Sequence, residues 1–322
     1  KNKLQENISN SVVFKGTVRP IQLEAQKTFI NEGKKYLNGG LVNLPCGYGK
    51  TILALSLITH REIRKKTLIL VHKEFLLHQW KERIKTFLPD AKIGIVQQKK
   101  VEIEGCDIVI GMLQSVAMKD YPPNTFAVFG FIIIDECHHL GAEVFSRALP
   151  KVCFGDTWLL GLSATPDRSD GLRCVFEWYL GPMLYQIEPK QTDEVIVEWW
   201  QYHNQDPEYQ KVEYNMMDKV NTSKMITKLC DFQDRTSKII EKIIQCYEDD
   251  RKILVLSDRR QHLDFLKNYF LDRDYSIGCY IGGMTRVELE LSENKKIILG
   301  TYSMASEGMD IPALNTVILA TP

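Results

Sequence analysis

No stretch of this 322-residue chain is apolar for more than about nine residues, the longest being Phe126 to Ile134. A membrane-crossing helix needs roughly 20, so a bilayer span is not expected. No excess of charge of either sign is present, with 41 Lys and Arg against 41 Asp and Glu, and net charge by itself therefore indicates no partner. The eight cysteines, Cys46, Cys106, Cys137, Cys153, Cys174, Cys230, Cys246 and Cys279, form no Cys-x-x-Cys pair, which argues against a zinc site. A disulfide framework is not expected in so long and apolar a chain, and reduced thiols of an intracellular protein (nuclear, cytoplasmic or viral) are. Low-complexity tracts and short-period repeats are also missing. The chain begins at Lys1 rather than Met, with no visible signal peptide, so residues upstream are to be expected.

What is present describes an ordered globular protein: 44% hydrophobic and 25% charged residues, with length enough for two domains. Apolar runs at 41–44, 67–71, 107–111, 131–134 and 159–162 read as strands. Between them, 51–64 and 75–87 carry apolar residues near helical spacing, the second through Leu76, Leu77, Trp80, Ile84 and Phe87. This alternation predicts an α/β fold with a mostly parallel sheet and helices on both faces. The pattern weakens from about 188 to 235, where only Val195–Trp200 reads as a strand. It then resumes, with helices at 237–247 and 260–270 and strands at 252–257, 276–281, 296–301 and 316–320. The expected organisation is a first domain over 1–190, a connector over 191–235 and a second, shorter domain over 236–322. Charge is uneven locally: residues 61–100 hold eleven Lys and Arg against four Asp and Glu, either a solvated face or a footprint for nucleic acid.

Two segments carry chemistry. In Phe131-Ile132-Ile133-Ile134-Asp135-Glu136 a buried strand runs into two adjacent carboxylates. That placement is costly unless a cation or a reaction needs them there, and at the carboxyl end of a parallel strand the usual need is a metal-bound phosphate. Upstream, residues 44–51 read Leu-Pro-Cys-Gly-Tyr-Gly-Lys-Thr. Gly47 and Gly49 permit a tight loop whose amides converge on phosphate oxygens, Lys50 supplies a positive charge, and the Thr51 hydroxyl can bind Mg²⁺ at the start of a helix. The general phosphate-loop pattern asks for one more glycine, where this chain has Leu44. Asp135 is the natural partner for Mg²⁺, and Glu136 the group that orients and deprotonates an attacking water.

These segments, followed by Leu162-Ser163-Ala164-Thr165-Pro166, resemble the DExH helicases of superfamily 2, in particular the XPB-type branch, phage UvsW-like enzymes and viral relatives. The resemblance covers roughly residues 14–322. It implies two tandem RecA-like domains with ATP in the cleft between them, and it makes Pro45, Cys46 and Tyr48 ordinary members of the phosphate loop. Arg19-Pro20-Ile21-Gln22 matches the family's glutamine motif, which would put Arg19 near the nucleotide and Gln22 on the adenine edge. Ser163 and Thr165 would couple the acidic box to strand separation, with His138. His72 and Lys73, and Gly111, Met112 and Ser115, match positions that contact the nucleic-acid backbone. In the second domain Ser257 and Arg259 resemble another such motif. Residues 300–312 match a more specific one, in which Thr301 and Ser303 would touch phosphate while Gly308 and Asp310 approach the nucleotide. Bland readings stand beside some of these: His72 as a surface histidine, Ser257 as a helix cap.

Two departures matter. The family's later Gln-x-x-Gly-Arg-x-x-Arg motif is not found before Pro322, so the second domain is expected to be incomplete and the natural chain to continue. Arg168-Ser169-Asp170 stands where XPB-type enzymes carry Arg-Glu-Asp. The reading is thus an ATP- and Mg²⁺-dependent helicase or translocase acting on nucleic acid, with DNA favoured. An RNA helicase and an ATP-gated clamp without processive turnover are the alternatives.

Overall fold

The computed structural model describes residues 4–45, 47–137, 142–164, 173–187, 195–305, 309, 311 and 313–322. Of the residues singled out above, Cys46, His138, Thr165, Gly308 and Asp310 lie outside the described set, as do Arg168, Ser169 and Asp170. The chain divides into two compact units, Lys1–Asp193 and Glu194–Pro322. No helix among the described residues is long and apolar enough to cross a membrane.

The first unit runs α1 (Pro20–Gly33), β1 (Gly39–Asn43), α2 (Lys50–Ile58), β2 (Thr67–Val71), α3 (Glu74–Phe87), β3 (Ile93–Gln97), β4 (Lys100–Val101), β5 (Ile108–Met112), α4 (Leu113–Met118), β6 (Phe131–Ile134), α5 (Ala142–Val152), β7 (Trp158–Ser163), α6 (Arg173–Leu180) and β8 (Met183–Gln186). Its sheet has the order β4-β3-β5-β2-β6-β7-β1-β8. All pairings are parallel except the β3–β4 hairpin. Strands β1, β2 and β6 are buried along their whole length, as unbroken apolar runs between two helix layers should be. Alternate residues of β2 show the two layers. Ile69 and Val71 join a core with Phe29, Leu53 and Trp80 of α1, α2 and α3. Leu68 and Leu70 join a second core with Val116 and Leu149 of α4 and α5.

The second unit runs α7 (Pro207–Gln210), α8 (Thr222–Asp231), α9 (Gln233–Glu248), β9 (Ile253–Leu256), α10 (Arg260–Leu271), β10 (Ile277–Tyr280), α11 (Arg286–Glu293), β11 (Ile297–Gly300), α12 (Tyr302–Ala305) and β12 (Thr316–Leu319). Its four strands are parallel, in the order β10-β11-β9-β12. Ile243, Val255, Leu266, Phe270 and Leu299 form the centre of its core.

Two expectations need correction. The helix expected over 51–64 ends at Ile58, and residues 61–63 are turn. Val195–Trp200 is in no strand, and its apolar side chains are 62–85% exposed. Instead Lys242 of α9 holds the segment from the side, with Nζ 3.3 Å from Glu198 Oε2 and 4.5 Å from the centre of the Trp200 ring. Alternation in sequence is not enough where no neighbouring strand offers a ladder.

Candidate nucleotide site and strand-tip residues

Strand order assembles the site. β7 lies between β6 and β1, and β1 continues into the glycine loop while β6 continues into Asp135. The ends of three adjacent strands therefore place the loop, Ser163 and the acidic pair side by side. The order in which strands are added also changes here: β2, which follows β1 in sequence, lies on the far side of β6 and β7. Such a switch point at the carboxyl ends of strands is where open α/β sheets bind ligands.

The loop has a defined shape. Gly47 and Gly49 have φ of 80° and 82°, a left-handed conformation that costs side-chain-bearing residues free energy. Gly49 is also the residue before the first turn of α2, and a Cβ there would lie 2.2 Å from Gln22 Nε2. Gln22 is buried, and its Nε2 donates to the carbonyls of Tyr48 (2.9 Å) and Gly49 (3.1 Å). Its Oε1 accepts from the Arg19 amide at 2.8 Å, while Arg19 Nη1 donates to the Gly47 carbonyl at 3.3 Å. Gln22, expected on the adenine edge, thus makes hydrogen bonds to the backbone of Arg19, Tyr48 and Gly49. Pro45 accepts the Tyr48 amide at 3.2 Å and closes the turn.

Lys50 and Thr51 begin α2. Lys50 Nζ lies 3.0 Å from Glu136 Oε1, both side chains being mostly buried. Glu136 has φ of 47°, a strained setting for a residue with a side chain, of the kind that clusters at functional sites. Asp135 is buried, and its Oδ2 accepts the indole N–H of Trp80 at 2.7 Å while Oδ1 accepts the Glu136 amide at 3.1 Å. Burial and the neighbouring Glu136 raise the Asp135 pKa to about 6, against the opposing pull of Trp80 and Lys50. A buried carboxylate pressed toward its neutral form suits a cation. Among the described residues no group of three or more His, Cys, Asp or Glu could hold a metal alone. A hydroxyl and one carboxylate fit a Mg²⁺ ion that takes its remaining ligands from phosphate and water. Thr51, in the first turn of α2, and Asp135, after β6, are residues of those two types. Burial also raises the Cys137 thiol to about 12, so it is no nucleophile.

The other strand-tip residues divide. His72 and Lys73 follow β2 and are part-exposed, and Gln114 Nε2 donates to the His72 carbonyl at 3.0 Å, tying this loop to the start of α4. Met112 and Ser115 are part-exposed there, with Ser115 Oγ accepting the Gln98 amide at 3.0 Å. Gly111, just before them, is buried within β5, paired with Leu70 and Val96. In the second unit Thr301 and Ser303 sit at the open tip of β11, their hydroxyls 3.3 Å apart. Ser257 is fully buried, 3.1 Å from His262 Nδ1, and accepts the Arg259 amide at 3.3 Å. It is not the cap of α10 that the alternative reading expected: the residue before the helix's first turn is Arg259, with no side-chain cap hydrogen bond. Arg259 reaches α8, with Nε 2.9 Å from Thr227 Oγ1 and Nη2 2.9 Å from the Ser223 carbonyl. Trp80 is the site residue that sequence reasoning passed over, since its helical spacing gave it only a core role.

Comparison with known proteins bears directly on this arrangement. Residues 15–168 match the family model described as "Type III restriction enzyme, res subunit", and residues 235–322 match "Helicase conserved C-terminal domain". A protein of Acanthamoeba polyphaga mimivirus, named as an ATP-dependent RNA helicase, is 39% identical over 316 residues, covering 97% of this chain and 60% of the relative. The DNA 3'-5' translocase XPB2 of Sulfurisphaera tokodaii is 32% identical over 189 residues, 57% of this chain and 40% of that one. The match thus spans less than two thirds of either relative's length. Among solved structures, a fragment of an HsdR-type subunit of a type I restriction enzyme from Vibrio vulnificus aligns with a TM-score of 0.62 at 18% identity, covering 97% of this chain and 60% of the other. That likeness bears on the fold alone. Two RecA-like α/β units, a restriction-enzyme res-subunit match in the first, a helicase C-terminal match in the second and a viral helicase relative aligned along nearly the whole chain make this a member of the superfamily 2 helicases, with viral and XPB-type relatives.

Proposed function

We propose that this chain is the ATP-hydrolysing motor of a nucleic-acid helicase or translocase. The observation that carries the reading is the 3.0 Å pair between Lys50 and Glu136, beside the buried Asp135. Phosphoryl transfer to water asks for a cation on the phosphates, a metal holder and a base for the water, and these three groups answer to those tasks. Lys50 binds the β- and γ-phosphates, and Glu136 accepts a proton from the attacking water. Thr51 and Asp135 hold Mg²⁺, which offsets phosphate charge when bound. Amides of the loop around Gly47 and Gly49 cradle the phosphates. His138 and Thr165 act with Ser163 as the link to nucleic-acid movement, and Gly308 and Asp310 are assigned to nucleotide binding.

His72, Lys73, Met112, Ser115, Thr301 and Ser303 grip the phosphate backbone without reading sequence, and successive cycles move the strand. Duplex DNA is the favoured substrate, on the likeness to the XPB-type translocase. RNA is the second reading, favoured by the name of the mimivirus relative. Lys50→Ala is expected to abolish ATP hydrolysis, and Glu136→Gln to keep ATP binding while cutting turnover by at least about 10². Both are checked by phosphate release and nucleotide binding in the full-length protein, and wild-type turnover in either would defeat the assignment. Titrating the ATPase with DNA and with RNA decides the substrate, since stimulation by RNA alone would reverse the preference.

A further inference from the structure

The hydrogen bond from Trp80 to Asp135 joins two buried side chains 55 residues apart in sequence. Indole is a donor only, and a donor at 2.7 Å from a carboxylate oxygen is a short, charge-assisted bond. It is directional as well as stabilising. Trp80 is nearly inaccessible to solvent and belongs to the same core as Phe29, Leu53, Ile84 and the alternate side chains of β2, so its ring is held by the fold rather than by the carboxylate. The Asp135 backbone is held as well, its amide donating to the Leu70 carbonyl at the end of β2. With Oδ2 held by the indole and Oδ1 facing the amide of Glu136, the carboxylate plane has one orientation.

A phenylalanine would fill most of this space. What it would lack is the N–H, the one atom here that serves the carboxylate rather than the core. We infer that Trp80 is a positioning residue for the metal-holding carboxylate, its indole N–H fixing the orientation in which Asp135 meets Mg²⁺. The inference rests on the reading of Asp135 as a metal holder. Groups in this outer position tune the ligand they touch, and their loss costs about 10–100-fold in metal affinity or activity.

The test is Mn²⁺ binding to the full-length protein in the presence of ADP, followed by electron paramagnetic resonance, alongside metal-free ADP binding. Trp80→Phe is expected to weaken Mn²⁺ binding by about 10–100-fold and to leave metal-free ADP binding unchanged. Equal Mn²⁺ affinity in Trp80→Phe and wild type would overturn the proposal and return Trp80 to the core. Should Trp80→Phe fail to fold, 3-benzothienylalanine at position 80 keeps the two-ring shape and removes only the N–H, and the same affinity comparison applies to it. Asp135→Asn separates the two levels of the argument. If it binds Mn²⁺·ADP as the wild type does, the reading of Asp135 fails. If it loses Mn²⁺ while Trp80→Phe does not, only the role of Trp80 fails.

Discussion

At neutral pH the Asp135 carboxylate carries its charge where burial and Glu136 oppose it, and its pKa rises to about 6. The sign of the linked stability follows. An acid whose folded pKa lies above its unfolded value destabilises the fold at pH 7, and stability grows as pH falls through 6. Asp135→Asn removes that charge and keeps an acceptor for Trp80. It is expected to stabilise the first unit by roughly 1–3 kcal/mol, a rise of a few degrees in its melting temperature, while abolishing metal-dependent ATP hydrolysis. Thermal unfolding at pH 7 checks this, and a lower melting temperature would show that the carboxylate supports the fold. The acidic pair, Lys50 and Thr51 were legible in the sequence because their spacing along the chain mirrors the chemistry. Trp80 and the loop-holding role of Gln22 were not, because each acts on a partner 26 or more residues away, and only packing brings them together.

Among the elements of the second unit, His262 links three. It sits on α10 with Nδ1 3.1 Å from Ser257 Oγ, just after β9, and Nε2 3.3 Å from Thr236 Oγ1 on α9. Burial lowers its pKa to about 4, helped by Arg235 and opposed by Asp231. A histidine kept neutral in the fold contributes its full stability above the unfolded value near 6.5 and loses it as pH falls toward 4. The unfolding free energy of the second unit is expected to fall between pH 7 and pH 4.5 by an amount on the order of 2 kcal/mol, and His262→Gln to flatten that part of the profile. A wild-type unfolding free energy independent of pH would contradict this. At this scale the sequence was most readable in the middle of each sheet. Thr67–Val71 and Phe131–Ile134 were expected with the bounds observed, since strands buried on both faces must be apolar throughout. β3 and β8 went unread. One alternates buried and part-buried residues and the other is part-exposed, so neither has the continuous apolar signal.

Across the whole molecule the hydrophobic residues gather into separate cores within the two units, two clusters in each. Units with their own cores unfold on their own terms. Calorimetry is expected to resolve two transitions rather than one, with acidification from pH 7 to 5 lowering that of the second unit through His262. A single transition with equal calorimetric and van't Hoff enthalpies would argue against it.

The clasp of Gln22 on the phosphate loop has a consequence for affinity. Backbone ordering on binding subtracts from the free energy a ligand can gain. Here the turns at Gly47 and Gly49 are set by a side chain of α1 as the protein folds, so the arriving phosphate meets a loop whose entropy has already been given up.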